Sequence, residues 1–238
     1  MKFDYLLVIP PPKSICRLVS SFKIRCSKII GPFEGMRATA HITVTNYFVK
    51  DDFQVELLVP YLKIWMATLP KLRVNIDSFD FFETDGGRRK TIYAKLVVDE
   101  HSRRFFDQLR DIVNGKAIVP HITIVKDIPD AKFQQLWPIF KSKEWQDSFM
   151  ADRVSILKRE TFNINSFYTL ADDLLFKGHK LSAAYIYKKR AAKGYVAGRD
   201  KWLPNEYVRP DIRIDSSHGN LQGLPVYFNL AYRHNGTG

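Results

Sequence analysis

Two short segments of the chain have residue types and spacing that could do chemistry: His41-Ile42-Thr43-Val44 and, eighty residues later, His121-Ile122-Thr123-Ile124. Only six histidines occur in the 238 residues, and two of them stand in this same apolar-flanked context. In a β-strand successive side chains point to opposite faces. His41 therefore projects with Thr43, and His121 with Thr123, while the branched residues between them face the other way. Two such strands side by side bring two imidazoles and two hydroxyls into one cleft of phosphate size. One neutral imidazole can take a proton from an attacking water, and one imidazolium can give a proton to a leaving oxygen. The hydroxyls can donate to non-bridging phosphate oxygens, where charge builds in the transition state. A lone His-x-Thr in a strand is ordinarily just a satisfied histidine beside a β-former. Its recurrence at corresponding points of a repeated layout is what favours function.

Metal chemistry fits these residues less well. Two imidazoles fall short of a ligand set, and no Cys, Asp or Glu recurs beside them at ligand spacing. Neither a metal nor a cofactor is expected. His101, His179, His218 and His234 stand alone and read as surface residues.

The elements that must position the pair can be read from periodicity. Tyr5–Ile9 is a short apolar strand, and Ile15, Leu18, Val19 and Phe22 mark an amphipathic helix. Gly31-Pro32-Phe33-Glu34-Gly35 is a loop, and the first histidine strand follows to about Tyr47. Asp51-Asp52 can cap a helix carrying Leu58, Leu62, Trp65 and Met66, with Pro60 either kinking it or marking its first turn. Leu72–Phe82 and Thr91–Val98 alternate as strands around a Gly86-Gly87 turn. A helix with Phe105, Phe106, Leu109, Ile112 and Val113 ends near Asn114-Gly115. Ile118–Val125 is the second histidine strand, Ala131–Phe140 a helix, and Arg153–Arg159 a closing strand. The order is β-α-β-α-β twice, with one His-x-Thr strand in the middle of each half. The expected fold is α+β: duplicated β-α-β-α-β lobes with two antiparallel sheets forming a central cleft and helices on the outside. A domain boundary is expected at 162, with residues 163–238 a basic C-terminal extension whose fold the pattern does not specify.

Composition sets the remaining bounds. An apolar fraction of 45% and 17 Phe mark a folded globular chain. No stretch reads as a membrane span or a secretory signal. Cys16 and Cys26 are too few for a zinc cluster and poorly spaced for a bridge, so a reducing cytoplasm is expected. A monomer is expected as well. Residues 177–238 carry 11 Lys and Arg against 4 Asp and Glu, which is +7 of the +12 net charge. A basic surface attracts polyanions. A non-catalytic RNA-binding protein, using the cleft and this tail, is therefore the competing reading; a solvated basic face is the bland one.

The paired motifs and the strand-helix alternation around them resemble the 2H phosphoesterase superfamily, in the branch named for bacterial 2′-5′ RNA ligase and its cyclic phosphodiesterase relatives. The resemblance covers roughly residues 3–160. It implies a metal-independent phosphodiesterase that opens a 2′,3′-cyclic phosphate at an RNA or nucleotide end. Members also cleave a related phosphodiester, and ligation, the reverse of that cleavage, passes through the same transition state. His41, Thr43, His121 and Thr123 match the family's catalytic positions one for one. Some members carry an arginine five residues after the second histidine, and here Lys126 keeps the charge without the bidentate fork. Relatives often place an aromatic five residues after the first histidine; here Asn46 stands there and Tyr47 follows. Base stacking is therefore expected to shift to Tyr47 or to Tyr93. Both tyrosines, and Lys126 as a solvated lysine, also fit ordinary structural roles.

Overall fold

The computed structural model describes residues 1–116, 119–163 and 165–180, and the backbone of 214–215 and 220–221. Most of the basic extension lies outside the described residues, as does Ile118 of the second histidine strand. Within them the chain runs β1 (Lys2–Ile9), α1 (Lys13–Ile30), β2 (Ile42–Asp51), α2 (Asp52–Met66), β3 (Leu72–Thr84), β4 (Arg89–Leu96), α3 (Glu100–Val113) and β5 (His121–Pro129). It continues through α4 (Asp130–Lys141), β6 (Gln146–Ala151), β7 (Arg153–Glu160) and β8 (Thr169–Leu175). Ile214–Asp215 and Asn220–Leu221 form a separate antiparallel pair.

The two sheets expected from the sequence are one continuous sheet. Eight strands lie in the order β6-β3-β4-β5-β2-β1-β7-β8, every neighbouring pair antiparallel. Its centre is narrow: β2 and β5 share the single residue pair Ile42↔Ile122. Two four-stranded halves thus splay from one seam. Alternation cannot reveal this, because it places residues on faces without saying which strand is the neighbour.

The halves in space are not the halves in sequence. Helix α1 packs against α4 and β5, whereas α2 packs against α3, β2 and β8. Each sequence half thus sends one helix to each half of the sheet. Helices take one face, and there a continuous apolar core forms around Leu7, Ile9, Ile42, Ile92 and Ile122. Phe22, Phe79, Phe140 and Trp145 pack edge-on or tilted at its α1–α4 end, with ring centroids 4.8–6.2 Å apart. Each central isoleucine is fully buried, which contributes roughly 1.5–3 kcal/mol.

Local signals account for the helix ends. Asp51 caps α2, its N–H taken by Gln54 Oε1 at 3.2 Å, and the helix runs through Pro60. Asn114 closes α3 in the left-handed region at φ 49° and ψ 44°. Strands β6 and β8 were not expected from the sequence. β8 lies beyond the boundary expected at 162: it pairs with β7, and Leu174 and the adjoining Phe176 are buried in the core.

Candidate active site

Both histidine motifs lie at the central seam, on the face away from the helices. Ile42 and Ile122 are directly paired, and continuing that antiparallel register by one residue sets His41 beside Thr123 and Thr43 beside His121. A pseudo-twofold through the isoleucine pair therefore relates the motifs. The buried isoleucines face the core, and the two histidines and two threonines are half-buried in the floor of the cleft.

Each imidazole is held in the same way. His41 Nδ1 donates to the Thr39 carbonyl at 2.8 Å, and His121 Nδ1 donates to the Val119 carbonyl at 2.7 Å. A carbonyl oxygen can only accept, so Nδ1 carries the hydrogen and the neutral ring keeps its lone pair on Nε2. Burial lowers the pKa of both rings below the ordinary value of 6.5, and the carbonyls oppose it only in part. His41 is pushed down further by the positive charges of Lys23 and of His121. At neutral pH both rings favour the neutral form.

Lys23, on α1, is a residue that the helical pattern alone does not single out. It is buried, and its ammonium donates to the carbonyls of Gly35 (2.9 Å) and Ala38 (2.7 Å). It pins the segment that leads into His41. Nothing in the helical pattern marks it, because a lysine at that point of an amphipathic stripe reads as solvated.

A β-bulge lies three residues after each histidine. Opposite β1, Val8 pairs with Thr43 and Leu7 with Thr45, leaving Val44 as the extra residue. Opposite β4, Tyr93 pairs with Thr123 and Ile92 with Val125, leaving Ile124 extra. A bulge adds one residue to one strand and so reverses which side chains share a face. By strict alternation, residues five beyond each histidine would point at the core. With the bulge, Asn46 and Lys126 come onto the cleft face instead. Both are exposed.

The same bulge turns Tyr47 away. It pairs with Tyr5 on the helix side, packs against the core, and donates its hydroxyl to the Val113 carbonyl at 2.9 Å. The expectation that Tyr47 lines the cleft is therefore corrected: one inserted residue exchanges it with Asn46. Lys126 is on the cleft face, and its ammonium is ion-paired with Glu34 of the loop after α1. Both groups are exposed, so that pair contributes about 0–1 kcal/mol and is readily exchanged.

Tyr93 is on the cleft face beside Thr123 but is itself buried. Phe82 stacks on it with centroids 4.2 Å apart and planes at 23°. Both rings meet the His121 imidazole edge-on, at 4.9 Å from Phe82 and 5.2 Å from Tyr93. Phe82 is the less buried of the two. Lys95 is the direct cross-strand partner of His121, is exposed, and has no ion pair among the described residues. The sequence reading found neither Phe82 nor Lys95. Only the register of β3, β4 and β5 could have shown them. Among the described residues no three His, Cys, Asp or Glu side chains gather at metal-holding distance, and no helix is long and apolar enough to cross a membrane.

Comparisons with known proteins bear on the family and the fold. The family model described as "2'-5' RNA ligase superfamily" matches residues 11–162. The Geobacillus kaustophilus protein named "Putative phosphoesterase GK0864" is 27% identical over 160 residues, covering 64% of this chain and 86% of its own length. The apo structure of E. coli LigT aligns at a TM-score of 0.50 and 12% identity, over 74% of this chain and 98% of LigT, and shows the shared fold. LigT complexed with 3'-AMP aligns at 0.49 and 13% identity, over the same shares. With a family match across well over half its length and both histidine motifs inside the matched span, the chain belongs to the 2′-5′ RNA ligase superfamily of 2H phosphoesterases.

Proposed function

We propose that the chain is a metal-independent phosphodiesterase that opens a 2′,3′-cyclic phosphate at an RNA or nucleotide end. The observation that carries this reading is the pseudo-twofold pair of imidazoles at the Ile42↔Ile122 seam, each held through Nδ1 so that Nε2 is free for proton transfer. In-line displacement at phosphorus needs a base and an acid at opposite apical positions, and a twofold-related pair supplies both.

His41, whose neutral form the nearby Lys23 charge favours, takes a proton from water as the water oxygen bonds to phosphorus. His121 gives its proton to the ribose oxygen as that P–O bond breaks. One phosphomonoester and one hydroxyl result. Thr43 and Thr123 donate to the non-bridging oxygens. Lys126, exchanging Glu34 for phosphate, and Lys95 beside His121 offset the growing negative charge. Phe82, backed by Tyr93, offers a ring on which a base can stack, the role Asn46 cannot fill. With a ribose 5′-hydroxyl attacking the cyclic phosphate in place of water, and the ribose 3′ oxygen leaving with the proton from His121, the same groups support 2′-5′ ligation.

The test is turnover of a 2′,3′-cyclic nucleotide and of a short RNA with a cyclic end, both in chelator. His41→Ala and His121→Ala should each lose on the order of 10²–10⁴-fold. Full activity in either variant, or loss of wild-type activity in chelator, refutes the proposal.

A further inference from the structure

A groove of about 350 Å³ lies between the first turns of α1 and the segment that leads into His41. Lys13, Arg17 and Arg37 line it, with Cys16, Ser20 and Thr39. Among the described residues none of these three cations has an ion pair. Their placement works against the fold. Lys13 and Arg17 are one helical turn apart, where like charges repel. Lys13 also opens α1, at the end where the helix dipole is already positive, and the first turn holds no acid. Arg37 adds a third cation from the facing wall. Local choices that oppose stability and go uncompensated are a mark of function, and here the missing compensation is an anion.

The groove is held open and abuts the histidine pair. Thr39, on its wall, is the residue whose carbonyl holds His41 Nδ1. Ala38, also on the wall, is fixed by the buried ammonium of Lys23. Its volume lies in the range of small-ligand sites.

We infer that this groove is a second anion site, which holds the phosphate of a nucleotide flanking the one at the histidines. The chain then grips a single-stranded RNA along its backbone, not only by its terminal nucleotide. The inference rests on the phosphodiesterase reading for the choice of ligand, but its test does not require catalysis.

The variant is Arg17→Ala/Arg37→Ala, both exposed positions. Binding of a fluorescent ten-nucleotide RNA without a cyclic end is measured by anisotropy between 50 and 200 mM salt. The double variant should bind at least tenfold more weakly. The slope of log affinity against log salt should become shallower by about 1.4, at roughly 0.7 for each of two lost phosphate contacts. Turnover of a 2′,3′-cyclic mononucleotide should not change. The two cysteines give a local probe: RNA should slow alkylation of half-buried Cys16, while Cys26, only 3% exposed, stays inert. Unchanged affinity and slope, no RNA binding by the wild type, or a Cys16 that RNA does not protect would overturn the inference. If the wild type turns over neither substrate yet loses RNA affinity with the arginines, the groove stands and the phosphodiesterase reading falls.

Discussion

Lys23→Met tests the electrostatic frame around His41. Methionine keeps the length and apolar body of lysine but removes the ammonium. Of the two carbonyls that Lys23 satisfies, Gly35 O also accepts from the Ala38 N–H at 3.0 Å and keeps that bond. Ala38 O loses its ammonium donor, 2.7 Å away. A buried acceptor left without its donor costs about 1–3 kcal/mol, and a bond to a charged donor is worth about 1.5–3 kcal/mol. Against this, the ammonium of a lysine only 4% exposed no longer needs to be desolvated, a cost visible in the lowered pKa of Lys23. The net expectation is a loss of roughly 2 kcal/mol in denaturant unfolding. The chemical consequence has a definite sign. His41 loses a repelling neighbour, so its titration, followed by imidazole NMR, should move up toward the ordinary value. His41 must be neutral to act as base, so the acidic limb of the rate profile should move up with it. A His41 titration that is unchanged or moves down, with stability altered by less than about 0.5 kcal/mol, would refute this account of the site.

Further outcomes follow from the same geometry. Both imidazoles titrate below 6.5, so the form with one ring charged and one neutral is most populated below that pH. kcat/KM should peak there and fall about tenfold per pH unit well above both values; an optimum at pH 8 or higher would contradict it. For stability, the fold favours the neutral rings, so their contribution is present above pH 6.5 and is lost as pH falls through the lowered values, which an unfolding series from pH 7.5 to 5 can follow. Tyr47→Phe should cost about 1 kcal/mol through the lost bond to Val113 and leave kcat/KM unaltered. Phe82→Ala should instead raise KM for a cyclic nucleotide on the order of tenfold. A KM effect at Tyr47 and none at Phe82 would reverse the assignment of faces.

The strands missed in the sequence are the two edges of the sheet, β6 and β8. Gln146–Ala151 and Thr169–Leu175 are short and polar on much of their length. An edge strand pairs on one side only and is selected partly for its charge, so its alternation is weak. The central strands pack on both sides and carry the clear pattern. The interchange of helices between halves was illegible for a different reason. A helical stripe says that a face is buried, not against which strand.

By itself the sequence determined what is local. Alternation sets His41 with Thr43 and His121 with Thr123, and branched neighbours bury the opposite face at both motifs. Those facts carried the resemblance to the 2H phosphoesterases, which the family match over residues 11–162 bears out. Tertiary structure alone decided the rest of the site: that β2 and β5 meet at one isoleucine pair, that Phe82 and Lys95 flank His121, and that buried Lys23 repels His41. It also decided that Asn46 and Lys126 face the cleft while Tyr47 does not. The physical reason lies in the bulges at Val44 and Ile124. Where an extra residue is absorbed depends on the partner strand, and one such insertion reverses the face of the residues that follow.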